Sequence, residues 1–139
     1  ATQDMRKRMA ACYALVEFGA TTIIGYYTLS TAAVQLMDLP TEASKKLPRY
    51  PYVPAALLGR LAVDARFQGQ GYGDILLGDA FVRILRLSAE IAINLVIVDA
   101  LHEQAAAYYE RHEFKRLADA ALRLFLPVAK LHDIFPDMA

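Results

Sequence analysis

Hydrophobic and polar positions change rhythm several times along this chain, and each rhythm predicts a different element. "CYALVEF" and "TTIIGYYTL" are β-branched and aromatic-rich runs separated by a short turn at Gly19–Ala20, which reads as a β-hairpin. "AALLGRLAVD" and "INLVIVDA" are nearly continuous apolar runs, the pattern of strands covered on both faces. Between them, Ile75, Leu76, Leu77, Ala80, Phe81, Ile84, Leu85 and Leu87 recur at helical spacing. Asp74 near the start of that helix and Arg83 and Arg86 near its end suit the helix dipole. "HEQAAAYYERHEF" reads as a short helix and "ALRLFLPV" as a final alternating strand. The opening "TQDMRKRMAA" reads as the end of a helix. Ser30 to Pro54, with four of the six prolines, reads as a long excursion holding one short helix near Thr41–Lys46. The order predicts an α/β or α+β fold with a mixed central sheet, in one domain spanning all 139 residues.

Composition narrows this picture. Hydrophobic residues make up 56% of the chain and mean hydropathy is +0.25, against disorder. No apolar run reaches the roughly 18–20 residues that span a bilayer, so no membrane partner is expected. The charged opening lacks the apolar core of a secretory leader. The single cysteine, Cys12, rules out an internal disulfide and suits a reducing cytoplasm. Fifteen basic residues balance fifteen acidic ones, so net charge points to no polyanionic partner. Basic residues do cluster at Arg6, Lys7 and Arg8 and at Lys45, Lys46 and Arg49; solvated faces and a nucleic-acid surface are both open readings.

The chemistry concentrates in "RFQGQGYGD", which joins an apolar strand to the amphipathic helix. Strand, glycine loop and helix N-terminus together present backbone N–H groups to phosphate. The dinucleotide pattern GxGxxG fails, because Asp74 holds its third glycine position. A P-loop fails as well, since no Gly-Lys-Ser/Thr follows. Asp74 would oppose bound phosphate, so its side chain is expected to point away.

Gln68-Gly69-Gln70-Gly71-Tyr72-Gly73 instead matches Gln/Arg-x-x-Gly-x-Gly/Ala. This resembles the acyl-CoA signature of the GNAT acetyltransferases, a fold with a mixed sheet whose strands splay apart at the acyl-CoA site. The resemblance implies acetyl-CoA as acetyl donor, no metal, and loop amides on the CoA diphosphate. Gly71 and Gly73 are the signature pair, and Gly69 adds freedom to the turn. By the same resemblance Leu61, Ala62 and Val63 would offer main-chain contacts to pantetheine. An N–H at or near Val63 would stabilise the oxyanion. "AAAYYERHEF" resembles the segment near the thioester, "A-x-x-x-Y-x-x-x-G-F", with Ala105, Tyr109 and Phe114 in place. Tyr109 is then the general acid for the departing thiolate, while Tyr108, its neighbour, packs elsewhere. Glu113 stands where the family favours glycine, which implies a strained or reshaped turn. No general base is evident: Asp64 and Asp99 read as turn or cap residues, and His102 as a helix start.

The resemblance extends over nearly the whole chain to the GNAT toxins of toxin–antitoxin modules, through "GYYTLS", "LPRYP", "ALLGRLAVD", "QGQGYG" and "YYE". Those toxins acetylate the amino acid on charged tRNA and are neutralised by ribbon–helix–helix antitoxins; many are dimers. The expectation is therefore an acetyl-CoA-dependent N-acetyltransferase acting on aminoacyl-tRNA. A GNAT acting on a small amine or protein N-terminus, and a non-enzymatic acyl-CoA-binding module, are the alternatives. Arg6, Lys7, Arg8, Lys45, Lys46, Arg49 and Arg60 are candidate tRNA contacts. Arg60 either serves there or pairs with Asp64 or Asp99. Family members carry a strand and helices ahead of the point where this sequence starts, so an N-terminally truncated domain is expected.

Overall fold

The computed structural model describes residues 10–136 apart from Ala20, Pro48, Ala118 and Asp119. Arg6, Lys7 and Arg8, with the helix end expected around them, lie outside the described residues. Six strands form one sheet: β1 (Ala11–Val16), β2 (Ile23–Gln35), β3 (Tyr52–Val63), β4 (Leu95–Asp99), β5 (Lys115–Leu117) and β6 (Ala120–Pro127). Their spatial order is β1-β2-β3-β4-β6-β5, with β3–β4 parallel and the other pairs antiparallel. Four helices accompany them: α1 (Thr41–Ser44), α2 (Tyr72–Ser88), α3 (Glu103–Arg111) and α4 (Val128–Ile134). The mixed sheet expected from the residue pattern is present. No helix among the described residues is long and apolar enough to cross a membrane.

Four differences from the sequence reading have physical causes. The hairpin's second strand does not stop at Leu29: Ser30 to Gln35 continue β2 against Leu57 to Tyr52 of β3. The proline-rich excursion therefore shrinks to the connection after Gln35. The Pro54 carbonyl accepts from the Asn94 N–H at 2.9 Å, so its main chain faces β4 rather than β2, and the donor it lacks falls ahead of the first β3–β4 pair, Ala55↔Leu95. The three residues of β5 are too few to show a period. Helix α4 follows the strand expected to be last. It buries only Val128 and Leu131, one turn apart, too short a pattern to stand out.

Both faces of the sheet are covered where it is central. On one face α2, α3 and α4 pack against Tyr27, Leu29, Ala56, Leu58, Val96, Val98, Leu124 and Leu126. On the other, Val34, Val53, Ala55, Leu95, Ile97 and Phe125 meet Leu39 and Leu117, with Ala43 of α1 and Leu47 alongside. Hence Leu95 to Val98 are completely buried, which explains their continuous apolar run. The same explanation holds in β3 only as far as Leu58; Gly59, Arg60 and Ala62 are exposed.

Helix α2 is fixed to the hairpin by a polar cluster as well as by its apolar stripe. Tyr27 donates its hydroxyl hydrogen to Asp79, and Arg83 Nε donates to the Tyr27 oxygen at 3.0 Å. The Arg83 guanidinium also lies 3.8 Å from the centre of the Tyr13 ring on β1. The sheet has no room for a side chain at Gly25, where a Cβ would sit 2.6 Å from the Ala62 carbonyl oxygen and 2.8 Å from Leu76 Cδ1 of the helix. Backbone cannot yield there as a side-chain tip can. Gly25→Ala is therefore expected to cost about 1–3 kcal/mol, read as a fall of several degrees in Tm; an unchanged Tm would contradict this packing.

Candidate active site

Parallel pairing of β3 with β4 runs from Ala55↔Leu95 to Leu58↔Val98 and then stops, while β3 continues to Val63. A bulge begins at that point. The β2–β3 register steps from Leu29↔Leu58 to Tyr27↔Leu61, setting Gly59 and Arg60 opposite the single residue Thr28. The Arg60 N–H donates to Thr28 Oγ1 at 3.0 Å, and the Asp64 N–H donates to the Ile24 carbonyl at 2.8 Å. The Ala62 carbonyl faces β2 too, close against Gly25. Because peptide groups alternate sides along a strand, the main chain of Leu61 and Val63 turns the other way, into the opening beyond β4. Of the three residues expected there, Leu61 and Val63 present main-chain groups to the opening and Ala62 does not. Gln68 Nε2 donates to the Val63 carbonyl at 3.1 Å, tying the glycine loop to the end of β3.

The loop itself begins with Asp64, whose carboxylate accepts from the Arg66 N–H at 2.9 Å and pairs with its guanidinium at 3.0 Å. Those bonds to Arg66 hold the Asp64 carboxyl below its ordinary range. Gly69 and Gly71 follow with φ of 78° and 84°, a conformation that side chains other than glycine's resist. Gly71 directly precedes α2, and among the described residues no side chain caps the helix. The first helical bond runs from the Ile75 N–H to the Gly71 carbonyl, so the N–H groups of Tyr72, Gly73 and Asp74 have no helical acceptor. They point out of the positive end of a 17-residue helix. Gly73 has ordinary helical backbone, and a Cβ there would meet the Tyr108 hydroxyl at 3.7 Å, room enough for alanine. Gln70 is exposed, and the Tyr72 ring packs edge-on against Phe67 at 6.0 Å.

Helix α3 faces this loop. His102 caps it, its Nδ1 accepting from the Ala105 N–H at 3.1 Å, which is the helix-start role read from the sequence. Ala106 and Tyr109 form its buried face. The Tyr109 ring lies 5.4 Å from those of Tyr108 and Phe114, and Phe114 stacks on Phe81 of α2 at 6.0 Å. Burial pushes the Tyr109 phenol pKa up, and no hydrogen bond to its hydroxyl contributes. Tyr108 points to the loop instead: its hydroxyl donates to Asp74 Oδ1 at 2.8 Å. His112 Nε2 lies 3.4 Å from the same oxygen. The Asp74 carboxylate is thus bonded to the Tyr108 hydroxyl, with His112 beside it. Burial, then the bond to Asp74, push the Tyr108 pKa up as well. Glu113 adopts φ of 76°, the left-handed turn that glycine would have eased.

The charged candidates separate. Asp99 is taken by Arg123 at 2.6 and 2.8 Å, and Asp64 by Arg66, so neither pairs with Arg60. Arg60 stands exposed at the bulge, beside the opening. Lys45, Lys46 and Arg49 are exposed on the connection between β2 and β3, at the other end of that ladder. Pairing there runs from Gln35↔Tyr52 to Gly25↔Val63. At about 3.3 Å per residue Arg60 stands roughly 26 Å along β3 from Tyr52, so this cluster and Arg60 do not share a site. Among the described residues no group of three or more His, Cys, Asp or Glu could hold a metal ion. Thr28 was missed by the sequence reading, since a threonine in a β-branched run carries no sign of closing a bulge.

Residues 11–116 match the family model described as "Acetyltransferase (GNAT) domain". The chain is 32% identical over 129 residues, 88% of its length, to the probable toxin TacT of Sinorhizobium fredii, covering 71% of that protein. It is 36% identical over 104 residues, 75% of its length, to a tRNA-acetylating toxin of Mycobacterium tuberculosis, covering 61% of it. Among solved structures it is similar to a tyrosine-to-phenylalanine variant of KacT (TM-score 0.88, 34% identity, 96% of this chain and 79% of that one). It is also similar to AtaT complexed with acetyl-methionyl-tRNAfMet (0.87, 30%, 96% and 79%). A third is an AtaT variant bound to the C-terminus of the antitoxin AtaR and acetyl-CoA (0.78, 25%, 96% and 77%).

Three phenols couple the stability of the fold to alkaline pH. Burial, with the bond to Asp79, raises Tyr27 from 10 to about 12, and Tyr108 and Tyr109 shift the same way. Between the ordinary and the raised values the folded chain holds more protons than the unfolded one, so stability falls as pH rises. For Tyr27 the contribution is complete below pH 10 and is lost on the way through about 12. Denaturant unfolding across that window should show a falling ΔG, with a shallower slope in Tyr27→Phe; equal slopes would contradict the assignment.

Proposed function

The chain belongs to the GNAT acetyltransferase family, and on that premise we propose that it transfers acetyl from acetyl-CoA to the α-amino group of aminoacyl-tRNA, as a toxin that blocks translation. The observation that carries the reading is the free edge of β3 running directly into a helix N-terminus with uncapped amides. A thioester donor with an amide-bearing arm and a diphosphate fits such a surface: amides along the strand, phosphates at the helix. The naming of the relatives as toxins, one of them tRNA-acetylating, and of AtaT solved with acetyl-methionyl-tRNAfMet, supports the acceptor.

In this reading Leu61 and Val63 receive the pantetheine arm, with Ala62 keeping the strand paired to β2. The turn from Gln68 through Gly69, Gln70, Gly71, Tyr72 and Gly73 receives the diphosphate. Acyl transfer needs a neutral amine, donors for the charge that develops on the carbonyl oxygen, and a proton for the departing sulfur. The N–H of Val63 or Leu61 is the donor within reach of the opening. Tyr109 supplies the proton: its burial keeps the phenol protonated at neutral pH, and among the described residues its hydroxyl is bonded to no neighbour. The Tyr108 hydroxyl, by contrast, is bonded to Asp74. Asp64, Asp99 and His102 are each engaged elsewhere. A dedicated base is dispensable for an α-amine, whose pKa near 8 leaves part of it neutral.

Arg60, exposed at the bulge, meets the acceptor end of the tRNA in this reading. Lys45, Lys46 and Arg49, and with them Arg6, Lys7 and Arg8, serve phosphates further along a substrate much larger than the cleft. The protein works in the cytoplasm, forms a homodimer, and is neutralised by an antitoxin with a ribbon–helix–helix domain. The complex of AtaT with the AtaR C-terminus supports an antitoxin partner.

Incubation with acetyl-CoA and a panel of charged tRNAs, followed by mass measurement of the released amino acid, tests the proposal. N-acetylated amino acid is the expected product. Unmodified tRNA beside acetylated peptide or polyamine would overturn the acceptor. Tyr109→Phe should lower kcat about 100- to 10,000-fold with little change in KM for acetyl-CoA, and undiminished turnover would remove Tyr109 from the acid role.

A further inference from the structure

Asp74 occupies the third position of α2, among the N–H groups that the proposed function gives to the CoA diphosphate. A carboxylate there faces two competing attractions. The helix N-terminus draws it inward, where an acidic side chain in the first turn is stabilised by the same unpaired amides and dipole that bind phosphate. Two side chains of α3 and its end draw it outward. Tyr108 donates to its Oδ1 at 2.8 Å, and His112 Nε2 sits 3.4 Å from that oxygen. The two holding rings pack on one another at 4.7 Å, and the Tyr108 hydroxyl lies 3.7 Å from where a Gly73 Cβ would be. The residue at the N-cap, Gly71, has no side chain to cap with, and among the described residues no side chain is bonded to the first amides.

We propose that Tyr108 and His112 are positioning residues that hold the Asp74 carboxylate off the anion cradle, so that acetyl-CoA meets the helix N-terminus without a competing negative charge. The inference rests on the reading of this loop as the CoA diphosphate site. It also separates the adjacent tyrosines: Tyr109 acts on the leaving sulfur, whereas Tyr108 acts through Asp74 on donor binding. A carboxylate released beside a diphosphate repels it, and solvent and salt screen part of that repulsion. Asp74→Asn removes the charge, and with it the need for the hold.

The test is calorimetric titration of CoA into the full chain carrying Tyr108→Phe, Asp74→Asn, or both, with thermal melts to establish that each is folded. Tyr108→Phe should raise the Kd for CoA about tenfold, equivalent to 1.4 kcal/mol. Asp74→Asn should bind at least as tightly as the unmodified chain. The double variant should return close to Asp74→Asn, a rescue that a merely structural tyrosine would not show. His112→Gln, which loosens the hold without touching Tyr108, should weaken binding in the same direction. A double variant as weak as Tyr108→Phe, or single variants at Tyr108 and His112 that both bind like the unmodified chain, would overturn the inference while leaving the cofactor site standing. An unmodified chain that takes up no CoA would overturn the site itself, and the inference with it.

Discussion

One hydrogen bond, from the Arg60 N–H to the Thr28 hydroxyl, shapes the surface on which the proposed chemistry takes place. In a regular ladder that N–H would find a carbonyl on β2, and β3 would keep its alternation. With two residues set against Thr28, the side-chain oxygen satisfies the surplus donor and the bulge carries no unpaired group. Gly59 completes the arrangement. A Cβ there would press to 2.8 Å from Thr28 Oγ1, so a larger residue would push the hydroxyl off the bond it makes. Beyond this point β3 loses β4 and gains a free edge. An unpaired strand edge is a hazard in most proteins. Here it is short and leads straight to the glycine loop, the setting in which an edge is a binding surface.

Helix α2 joins that surface to the rest of the molecule. Its first turn supplies the open amides, and its apolar stripe, Leu76 to Leu85, packs into the larger core. Its polar side holds the hairpin through Asp79, Arg83, Tyr27 and Tyr13. The residue that departs from a good anion site, Asp74, is met by α3 and its end: Tyr109 lies on the buried face of that helix, while Tyr108 and His112, both half-buried, reach Asp74. Adjacent tyrosines on one helix point about 100° apart, which is how two neighbours with the same chemistry come to face different partners.

Much of this was legible in the residue pattern, and the parts that were not share a cause. The hairpin, α2, α3 and β4 each carry a period or a continuous apolar run long enough to identify them. The glycine loop was legible because Gly69 and Gly71 occupy positions whose φ only glycine accepts readily. The left-handed Glu113 was legible for the opposite reason, as a glycine position filled by something else. Strand β5 and helix α4 were too short to show a period. The end of β2 was obscured by prolines that belong to the following connection and to β3. The bulge left no trace in the sequence, because it is defined by which residues face each other across two strands 30 positions apart. Likewise the roles of Tyr108 and Tyr109 divide according to what each ring touches, which spacing alone does not determine.

The central claim is that the free edge of β3, held open by the bulge, is the surface that receives the acyl donor. Residue-resolved amide hydrogen exchange with and without CoA tests it most directly. The amides of Leu61 and Val63 should exchange quickly in the free chain and slow markedly when CoA is added, whereas that of Ala62, which faces β2, should be slow in both. Leu61 and Val63 amides that exchange at the same rate with CoA bound as without it would contradict the account.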